Sequence, residues 1–301
     1  MESVQGASAF PTKPITLIVP WAPGGSGDLS GRIISTVLKK YLPQPVVVKN
    51  VPGGGSLVGA KELVDSKADG YTLGFLGISA VIGQYMSVAP VMLNQYDPVS
   101  GILNPSPILF VNQDAPWKTF SEFVEYGKKN PMKLKHGHSG TGANQHLQSE
   151  EFTIATGVKF TQIPFKGYGP ALTELAGGHV DVAFTPMGAA KSLVTAGKIR
   201  PLAIAADKRH PSYPDIPTMK EGGHNVVLLF WESIVVPKGT PKEIVSVLDD
   251  AIKKAFADPD FLRMTKDAAL DLEYIGTEAI AKLRTDSDRT YSKIIKDLGL
   301  E

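Results

Sequence analysis

The chain contains no cysteine among its 301 residues. This absence excludes disulfide bonds, thiolate metal ligands and a cysteine nucleophile, but it does not identify the cellular compartment. No apolar run approaches the ~20 residues that a membrane-spanning helix needs, because Gly, Pro or a charged residue interrupts every candidate. We therefore expect a folded chain that does not cross a bilayer.

Neither sign of charge is in excess, since 31 basic residues face 30 acidic ones and the formal net charge is +1. Lysine and arginine occur in runs of at most two. Nucleic acids and anionic membranes bind basic patches, so neither is an expected partner. With 43% hydrophobic residues, the chain can form about two domains, each with its own core.

The N-terminal segment has one feature of an export signal. Ala7-Ser8-Ala9 precedes Phe10 in the small-x-small pattern of a signal-peptidase site, but the apolar stretch that should come before it is missing. Two explanations fit this pattern. Either a signal peptide has been trimmed and Met1 added before the remainder, or Ala-Ser-Ala occurs by chance in a flexible terminus. We expect residues 1–9 to be a residual tail outside the fold.

Seven short runs have the composition of β-strands, and helical segments lie between nearly all of them. These runs are Ile15–Val19, Val46–Lys49, Tyr71–Phe75, Leu134–Gly137, Val158–Ile163, Val180–Phe184 and Pro201–Ala205. Strands that alternate with amphipathic segments predict βαβ units, and therefore an α/β fold with parallel or mixed sheets that helices cover on both faces.

Two longer extended runs, Ile108–Trp117 and Asn225–Pro241, interrupt this alternation and are flanked by Pro and Gly. If both cross between domains, lobe 1 is discontinuous and comprises residues 10–112 plus 232–301, while lobe 2 comprises residues 113–231. The second run is followed by a segment that predicts a helix with Thr240 as its N-cap and Pro241 at the first helical position.

The stretch from Gly25 to Gly31 places glycines between a strand and an amphipathic segment. Its spacing is one residue longer than the dinucleotide fingerprint, and no acidic residue near positions 45 to 52 could bind a ribose. The stretch Gly54–Lys61 resembles a phosphate loop but lacks the final Ser or Thr. What remains is a helix that begins near Asp28, with free backbone N–H groups suited to a small carboxylate. Asp28 itself is expected to be the N-cap.

Three further loops follow predicted strands in the same way. They are His138–Leu147, Pro164–Leu172 and Phe184–Gly188. In open α/β sheets, ligands bind outside the carboxyl ends of the strands, so all four loops are candidates for one site.

Metal binding and nucleophilic catalysis have weaker support in the sequence. His136 and His138 lie on one face of a strand and His146 follows, but the nearest carboxylates, Glu150 and Glu151, lie a turn further along the next helix. No G-x-S-x-G elbow occurs. We expect neither a metal, nor a cofactor, nor an enzyme, although an enzyme that acts on a small carboxylate stays open because catalytic triads are spatial.

Six blocks occur in the order found in one protein family. They are PITLIVPWAPGGSGD, NVPGGGSLVGAKELVDSKADGYTL, HSGTGANQHL, PFKGYGPALTELAGGHVDV, AGKIRPLAI and PDIPTMKEGG. They resemble the signature blocks of the Bug family, the extracytoplasmic solute-binding proteins of tripartite tricarboxylate transporters. The resemblance implies a two-lobed periplasmic-binding-protein (Venus-flytrap) fold with two crossing strands as its hinge. It also implies an exported, periplasmic protein whose signal peptide is absent here.

The resemblance further implies which turns hold the ligand. The turns Trp21–Asp28 and His138–Ala143 are expected to bind a carboxylate through backbone amides, hydroxyls and water. The facing loops, Phe165–Tyr168 and Thr185–Met187, are expected to select the rest of the ligand. The candidate ligand-binding residues are Trp21, Pro23, Gly24, Gly25, Ser26, Asp28, His138, Ser139, Gly140, Thr141, Gly142, Ala143, Phe165, Lys166, Gly167, Tyr168, Thr185, Pro186, Met187 and Trp231.

Three of these residues bear on ligand choice. Thr185 stands where several relatives carry an acidic residue, which disfavours a ligand with an ammonium group. His138 either adds a donor near a second carboxylate or caps its own loop. Trp21 is expected to cover the carbon skeleton of the ligand, while Trp231 fits a cleft position and a core position equally well.

The predicted function is to capture a small organic carboxylate between two lobes and to deliver it to the permease subunits of a membrane transporter. The lobes are expected to close when the ligand binds. The ligand is a di- or tricarboxylate or an aromatic carboxylate, and the receptor is expected to be a monomer. A sensor that reports the ligand to a two-component system is the main alternative.

Overall fold

The computed structural model describes residues 10–21, 23, 26–53, 56–86, 91–104, 106–141, 143–165, 167–228, 230–268 and 270–299. The chain divides into two compact units. The first contains the residues up to Leu103 together with Trp231–Ser292, and the second contains Asn104–Phe230 together with the segment that begins at Lys293. Among the described residues, no helix combines the length and the apolar character needed to span a membrane.

The first unit is built on a six-stranded mixed sheet with the strand order β11-β4-β10-β3-β1-β2. β1 pairs in parallel with β2 and β3, whereas β10 runs antiparallel to β3 and β11 antiparallel to β4. The strands are β1 (Ile15–Val19), β2 (Val46–Asn50), β3 (Thr72–Gly77), β4 (Tyr96–Asn104), β10 (Phe230–Pro237) and β11 (Glu273–Ile275).

Hydrophobic side chains pack on both faces of this sheet. Leu17 and Val19 belong to one cluster and Ile18, between them, to another, as the alternation along a strand requires. The helices of this unit are α1 (Ser26–Leu38), α2 (Leu57–Val64), α3 (Ile78–Met86), α8 (Lys242–Phe256), α9 (Pro259–Asp267) and α10 (Thr277–Asp297).

The second unit is built on a five-stranded sheet with the order β7-β6-β8-β5-β9. β6 pairs in parallel with β7 and β8, and β5 runs antiparallel to β8 and β9. The strands are β5 (Ile108–Asn112), β6 (Leu134–His138), β7 (Phe160–Pro164), β8 (Val182–Thr185) and β9 (Ile199–Ile204), and the helices are α4 (Phe120–Lys129), α5 (Asn144–Thr156), α6 (Tyr168–Ala176) and α7 (Met187–Thr195).

The predicted α/β class with mixed sheets flanked by helices is confirmed, and all seven short strands occur within a few residues of their predicted bounds. The predicted division placed Ile108–Asn112 in lobe 1, but this strand pairs with β8 and β9 in the second sheet. The residues from Lys293 onward, also assigned to lobe 1, group with the second unit. The tail of residues 1–9 lies outside the described residues.

Two local predictions were wrong. Thr240 is not the N-cap of α8, because that helix begins at Lys242 with Pro241 as its N-cap. The Thr240 hydroxyl instead donates to the carbonyl of Pro237 at 2.8 Å. Asp28 is not the N-cap of α1, because that helix already begins at Ser26 and Asp28 lies within its first turn.

Candidate functional site

The candidate residues lie along the carboxyl ends of parallel strands. In the first unit, β1, β2 and β3 are adjacent and parallel, so their carboxyl ends share one edge of the sheet. In the second unit, β7, β6 and β8 have the same relation. Each of these six strands is followed by a helix, so each edge carries the N-terminal ends of three helices.

In the first unit, the turn between β1 and α1 is held by Asn50 at the end of β2. The parallel register pairs Val19 with Asn50, which places the amide of Asn50 beside the turn. Its Nδ2 donates to the carbonyl of Trp21 at 3.0 Å and to Oδ1 of Asp28 at 2.8 Å. One side chain thus fixes both ends of the turn.

The charge of Asp28 is compensated locally. Its carboxylate is buried, with 4% of the residue exposed. Arg32, one turn further along α1, donates from Nε to the carboxylate at 3.0 Å and from Nη2 to Oδ1 of Asn50 at 3.0 Å. The hydrogen bond to Asp28 and the negative charge of its carboxylate raise the pKa of Arg32 above its ordinary value. Asp28, Asn50 and Arg32 form one network that orders the start of α1.

Trp21 is half-buried over the first turn of α1. Its ring meets Phe75 edge-on at a centroid distance of 5.8 Å. A Cβ on Gly27 would lie 2.5 Å from Cε3 of Trp21, so the close approach of ring and helix depends on glycine. Pro23 and Ser26, in the same turn, are exposed.

Two hydroxyls lie close together near this edge of the first unit, at the starts of α2 and α3. The hydroxyls of Ser56, just before α2, and Ser79, in the first turn of α3, lie 3.1 Å apart.

Trp231 is 1% exposed, and its indole N–H donates to Oγ of Ser287 on α10 at 3.0 Å. Its ring therefore belongs to the packing between β10 and α10.

In the second unit, three helices begin at the carboxyl edge without an acidic residue in the first turn. They are α5, α6 and α7, and none of their N-caps forms a side-chain capping bond. The first backbone N–H groups of a helix lack intrahelical partners, and the helix dipole makes this end positive. The edge is therefore suited to an anion.

The loop between β6 and α5 is held by hydrogen bonds of its own. Nδ1 of His138 lies 2.8 Å from the carbonyl of Gly140. Oε1 of Gln145 accepts hydrogen bonds from the backbone N–H and the hydroxyl of Ser139. Nε2 of Gln145 donates to the carbonyl of Phe184 at 3.3 Å, which ties this loop to the end of β8. Of the two roles considered for His138, the geometry supports the loop cap.

His136, His138 and His146 form a column of stacked rings. The centroids of His136 and His138 are 5.5 Å apart and those of His138 and His146 are 4.8 Å apart, with interplanar angles of 23° and 14°. Stacked rings direct their nitrogen lone pairs sideways rather than toward one point. In the part of the chain that the structure describes, no three potential ligands are grouped to hold a metal ion.

The column is neutral at ordinary pH because it is buried. Burial lowers the pKa of His136 to about 3 and that of His138 to about 4, and it also lowers the pKa of His146. Nδ1 of His136 bonds to Oε1 of Gln162 at 2.8 Å, while Nε2 of Gln162 donates to Ser149 and Glu150. Burial also raises the pKa of Glu150.

The two remaining loops of this edge are fixed mainly by backbone. The N–H of Phe165 donates to the carbonyl of His138 at 2.8 Å, which places the β7–α6 loop beside the β6–α5 loop. Gly167 precedes α6 with a φ of 108°, which a residue with a side chain rarely adopts. Tyr168, which opens α6, is half-buried.

The end of β8 and the start of α7 are more enclosed. Thr185 is 1% exposed, and Pro186 is the N-cap of α7. Met187 is 7% exposed and packs in a hydrophobic cluster under the helices of this unit.

The structure brings Trp21, Pro23, Ser26 and Asp28 to one edge of the first unit. Thirteen of the predicted residues belong to the second unit, and those that are described lie along its edge, namely His138, Ser139, Gly140, Thr141, Ala143, Phe165, Gly167, Tyr168, Thr185, Pro186 and Met187. Gly24, Gly25, Gly142 and Lys166 lie outside the described residues. That all these residues contact a ligand stays a prediction.

Asn50, Asn144 and Gln145 were missed by the sequence analysis. Asn50 directly follows a run whose strand character was recognised, and polar residues at that position of a parallel sheet are ligand candidates. Asn144 and Gln145 lie inside a recognised turn, and only the coordinates show which polar side chains of that turn have partners.

Comparison with known proteins assigns the chain to one family. A family model described as "Tripartite tricarboxylate transporter family receptor" matches residues 31–300. The chain is 35% identical to a "UPF0065 protein in gbd 5'region" of Cupriavidus necator, over 98% of this chain and 90% of that protein. It is 34% identical to the protein BugT of Bordetella pertussis, over 83% and 78% of the two chains.

Solved structures agree with this assignment. A TctC solute-binding protein from Polaromonas, 29% identical, matches with a TM-score of 0.83 over 96% of this chain and 99% of that one. MatC from Rhodopseudomonas palustris with bound malate, 26% identical, has a TM-score of 0.79 over 95% and 100% of the two chains. R. palustris Rpa4515 with adipate, 28% identical, has a TM-score of 0.82 over 96% and 98%.

The fold and the two loop-lined edges therefore define a periplasmic-type solute-binding protein. Within this class, the chain belongs to the tripartite tricarboxylate transporter receptor family, which includes the Bug proteins. The resemblance of the six sequence blocks to that family is thereby confirmed.

Proposed function

We propose that this protein is an exported receptor that binds a small organic carboxylate and delivers it to the permease subunits of a tripartite tricarboxylate-type transporter. It acts in the periplasm, as a monomer and without catalysis. The turns Trp21–Asp28 and His138–Ala143 hold carboxylate groups, and the loops Phe165–Tyr168 and Thr185–Met187 select the rest of the ligand.

One observation carries this proposal. Three helices, α5, α6 and α7, begin at one sheet edge with no acidic residue in their first turns and no capping side chain. A carboxylate bound there accepts hydrogen bonds from backbone N–H groups and meets the positive ends of the helices. Gly167, at a positive φ, lets the backbone approach without a Cβ.

The helix ends supply less free energy than micromolar binding of a carboxylate requires. A helix end stabilises a negative charge by about 0.3 to 1 kcal/mol, and by up to ~2 kcal/mol when partly buried. Micromolar affinity corresponds to about −8 kcal/mol. Helix ends therefore supply only part of the binding energy, and hydrogen bonds from N–H groups and hydroxyls must supply the rest.

The ligands of two relatives support the choice of ligand class. MatC is described with malate and Rpa4515 with adipate, which are both dicarboxylates. These two proteins share the fold of this chain over nearly its whole length at 26% and 28% identity. A dicarboxylate is accordingly the first class to test, followed by tricarboxylates and aromatic carboxylates.

The experiment is a thermal-shift screen of the purified protein against mono-, di- and tricarboxylates. A ligand at a hundredfold its dissociation constant stabilises the protein by about 2.7 kcal/mol, a shift that is readily measured. Sugars and amines serve as comparison ligands. If these raise the melting temperature while no carboxylate does, the proposed ligand class is refuted.

A pair of variants tests the helix start itself. Ala143→Asp introduces a carboxylate at the N-cap of α5, where no side chain caps the helix, so it competes with the ligand for the same N–H groups. Pro241→Asp makes the same change at the uncapped start of α8. Only Ala143→Asp is expected to abolish the carboxylate-induced shift. An equal response of both variants to carboxylates would remove α5 from the site.

A further inference from the structure

The loop that leads into α5 contains buried polar atoms that have no hydrogen-bond partner among the residues that the structure describes. They are Nε2 of His138 and both polar side-chain atoms of Asn144. His138 is 1% exposed and Asn144, the first residue of α5, is 8% exposed. A buried polar atom without a partner is costly, so such atoms need a functional or structural reason.

The hydrogen-bonding character of these atoms follows from their surroundings. Nδ1 of His138 faces the carbonyl oxygen of Gly140, which can only accept. Nδ1 therefore carries the proton of the neutral ring, and Nε2 is a bare acceptor. Asn144 adds a second acceptor at Oδ1 and a donor at Nδ2. This loop thus has two acceptors and one amide donor to offer, and His138 is not the extra donor that the sequence suggested.

Neighbouring polar groups of the loop are already engaged. Oε1 of Gln145 accepts from Ser139, and Nε2 of Gln145 donates to the carbonyl of Phe184. A carboxylate ligand has only acceptors, so it can pair with Nδ2 of Asn144 but with neither of the two acceptors. An ammonium group only donates, and the positive end of α5 repels it. A hydroxyl both donates and accepts, so it can accept from Nδ2 of Asn144 and donate to Nε2 of His138 at the same time.

We propose that Asn144, together with Nε2 of His138, recognises a hydroxyl group on the ligand, so that the receptor selects hydroxycarboxylates over the corresponding carboxylates that lack the hydroxyl. This inference rests on the proposed function and narrows its ligand class. Sites built to bond a hydroxyl reject the analogue without it strongly, because their own polar groups are then left unpaired.

The test uses pairs of carboxylates that differ by one hydroxyl. They are malate and succinate, citrate and tricarballylate, 2-hydroxyglutarate and glutarate, and mandelate and phenylacetate. Dissociation constants are measured by isothermal titration calorimetry on the full chain. In at least one pair, the hydroxylated member is expected to bind at least about tenfold more tightly.

Asn144→Leu assigns the preference to its residue. Within the described part of the chain, neither polar atom of Asn144 has a hydrogen-bond partner, so leucine breaks no hydrogen bond there. The preference is expected to fall to within about twofold, mainly because the hydroxylated ligand binds more weakly. Ser100→Ala is the matched control, since it removes a different buried polar group, a hydroxyl in the first unit that has no partner among the described residues. It is expected to leave the preference intact.

His138→Phe is a second variant, for use if Asn144→Leu does not fold. It keeps an aromatic ring in place and removes the Nε2 acceptor together with the Nδ1 bond to Gly140. If the paired ligands bind equally, or if the preference persists in these variants, the inference is refuted while the carboxylate receptor stands. If no carboxylate binds at all, the proposed function fails, and this inference fails with it.

Discussion

Acidification is expected to destabilise the second unit through its histidine column. A proton bound by the unfolded chain but not by the folded one lowers stability. The pKa of His136 is lowered to about 3 and that of His138 to about 4 by burial, against an ordinary value of 6.5. The contribution of the two neutral rings to the free energy of unfolding is fully present above pH 6.5. It is lost as the pH falls toward their folded-state pKa values.

The size of the loss can be worked out at pH 5. For His138, the unfolded ring is almost fully protonated at this pH and the folded ring about one tenth protonated, which gives a loss of about 2 kcal/mol relative to pH 7.5. This loss of stability would change little if the folded pKa of His138 were one unit lower. The folded ring is already mostly neutral at pH 5, so the unfolded pKa determines the loss. His136 adds about 2 kcal/mol more by the same reasoning.

The assay is urea denaturation at pH 7.5 and pH 5.0 of the natural chain and of His138→Phe. The variant keeps a ring in the stack but cannot titrate, so its loss of stability is expected to be smaller by about 2 kcal/mol. Carboxylates with a lowered pKa, such as Asp258 and Glu221, lose their contribution only below about pH 4.5 and do not disturb this window.

Phe152→Leu serves as a control, because a core truncation lowers stability at both pH values alike. Only the difference between the two pH values is therefore diagnostic. If the natural chain and His138→Phe lose the same stability to within about 0.5 kcal/mol, His138 titrates normally in the folded state and the reasoning is refuted.

Two further predictions concern the turn of the first unit. Asn50→Ala removes the bonds to Trp21 and to the buried carboxylate of Asp28, and it is expected to cost about 1 to 3 kcal/mol in urea denaturation. Lys49→Ala, which breaks an exposed ion pair with Glu62, is expected to cost about 1 kcal/mol or less, and equal costs would contradict the role given to Asn50. Gly27→Ala places a Cβ 2.5 Å from the Trp21 ring, so it is expected to displace the indole, change tryptophan fluorescence and weaken carboxylate binding. An unchanged emission spectrum would show that the ring is not held against the helix.

The sequence indicated β1, β2, β3, β6, β7, β8 and β9, because their apolar runs are bounded by clear turn residues. It did not reveal β4, since Tyr96–Asn104 contains Asp, Pro, Gly and Asn, which are depleted in strands. β4 forms because β10 and β11 pair with it on either side. A strand of this kind depends on partners distant in sequence, which local patterns do not encode.

In the candidate site, side-chain contacts between residues on different elements were likewise not predictable from local sequence patterns. Glycine-rich turns after strands indicated where helix starts would lie, and His136 and His138 were expected on one face of β6. The sequence could not show that His146 would stack on them from α5, nor which tautomer His138 would take. The tautomer depends on a carbonyl oxygen two residues away, and so on the exact course of the loop.

The two helix starts first proposed to bind an anion differ in one electrostatic respect. α1 carries Asp28 in its first turn, so the positive end of this helix already faces a carboxylate, itself bonded to Arg32. α5 has no acidic residue in its first turn, and its N-cap, Ala143, has no side chain that could stand in for one. A dipole that is already balanced by an internal charge has less to offer an external anion. By this argument, the start of α5 attracts a carboxylate more strongly than the start of α1, whereas the Asp28 network mainly fixes the position of Trp21 over the turn.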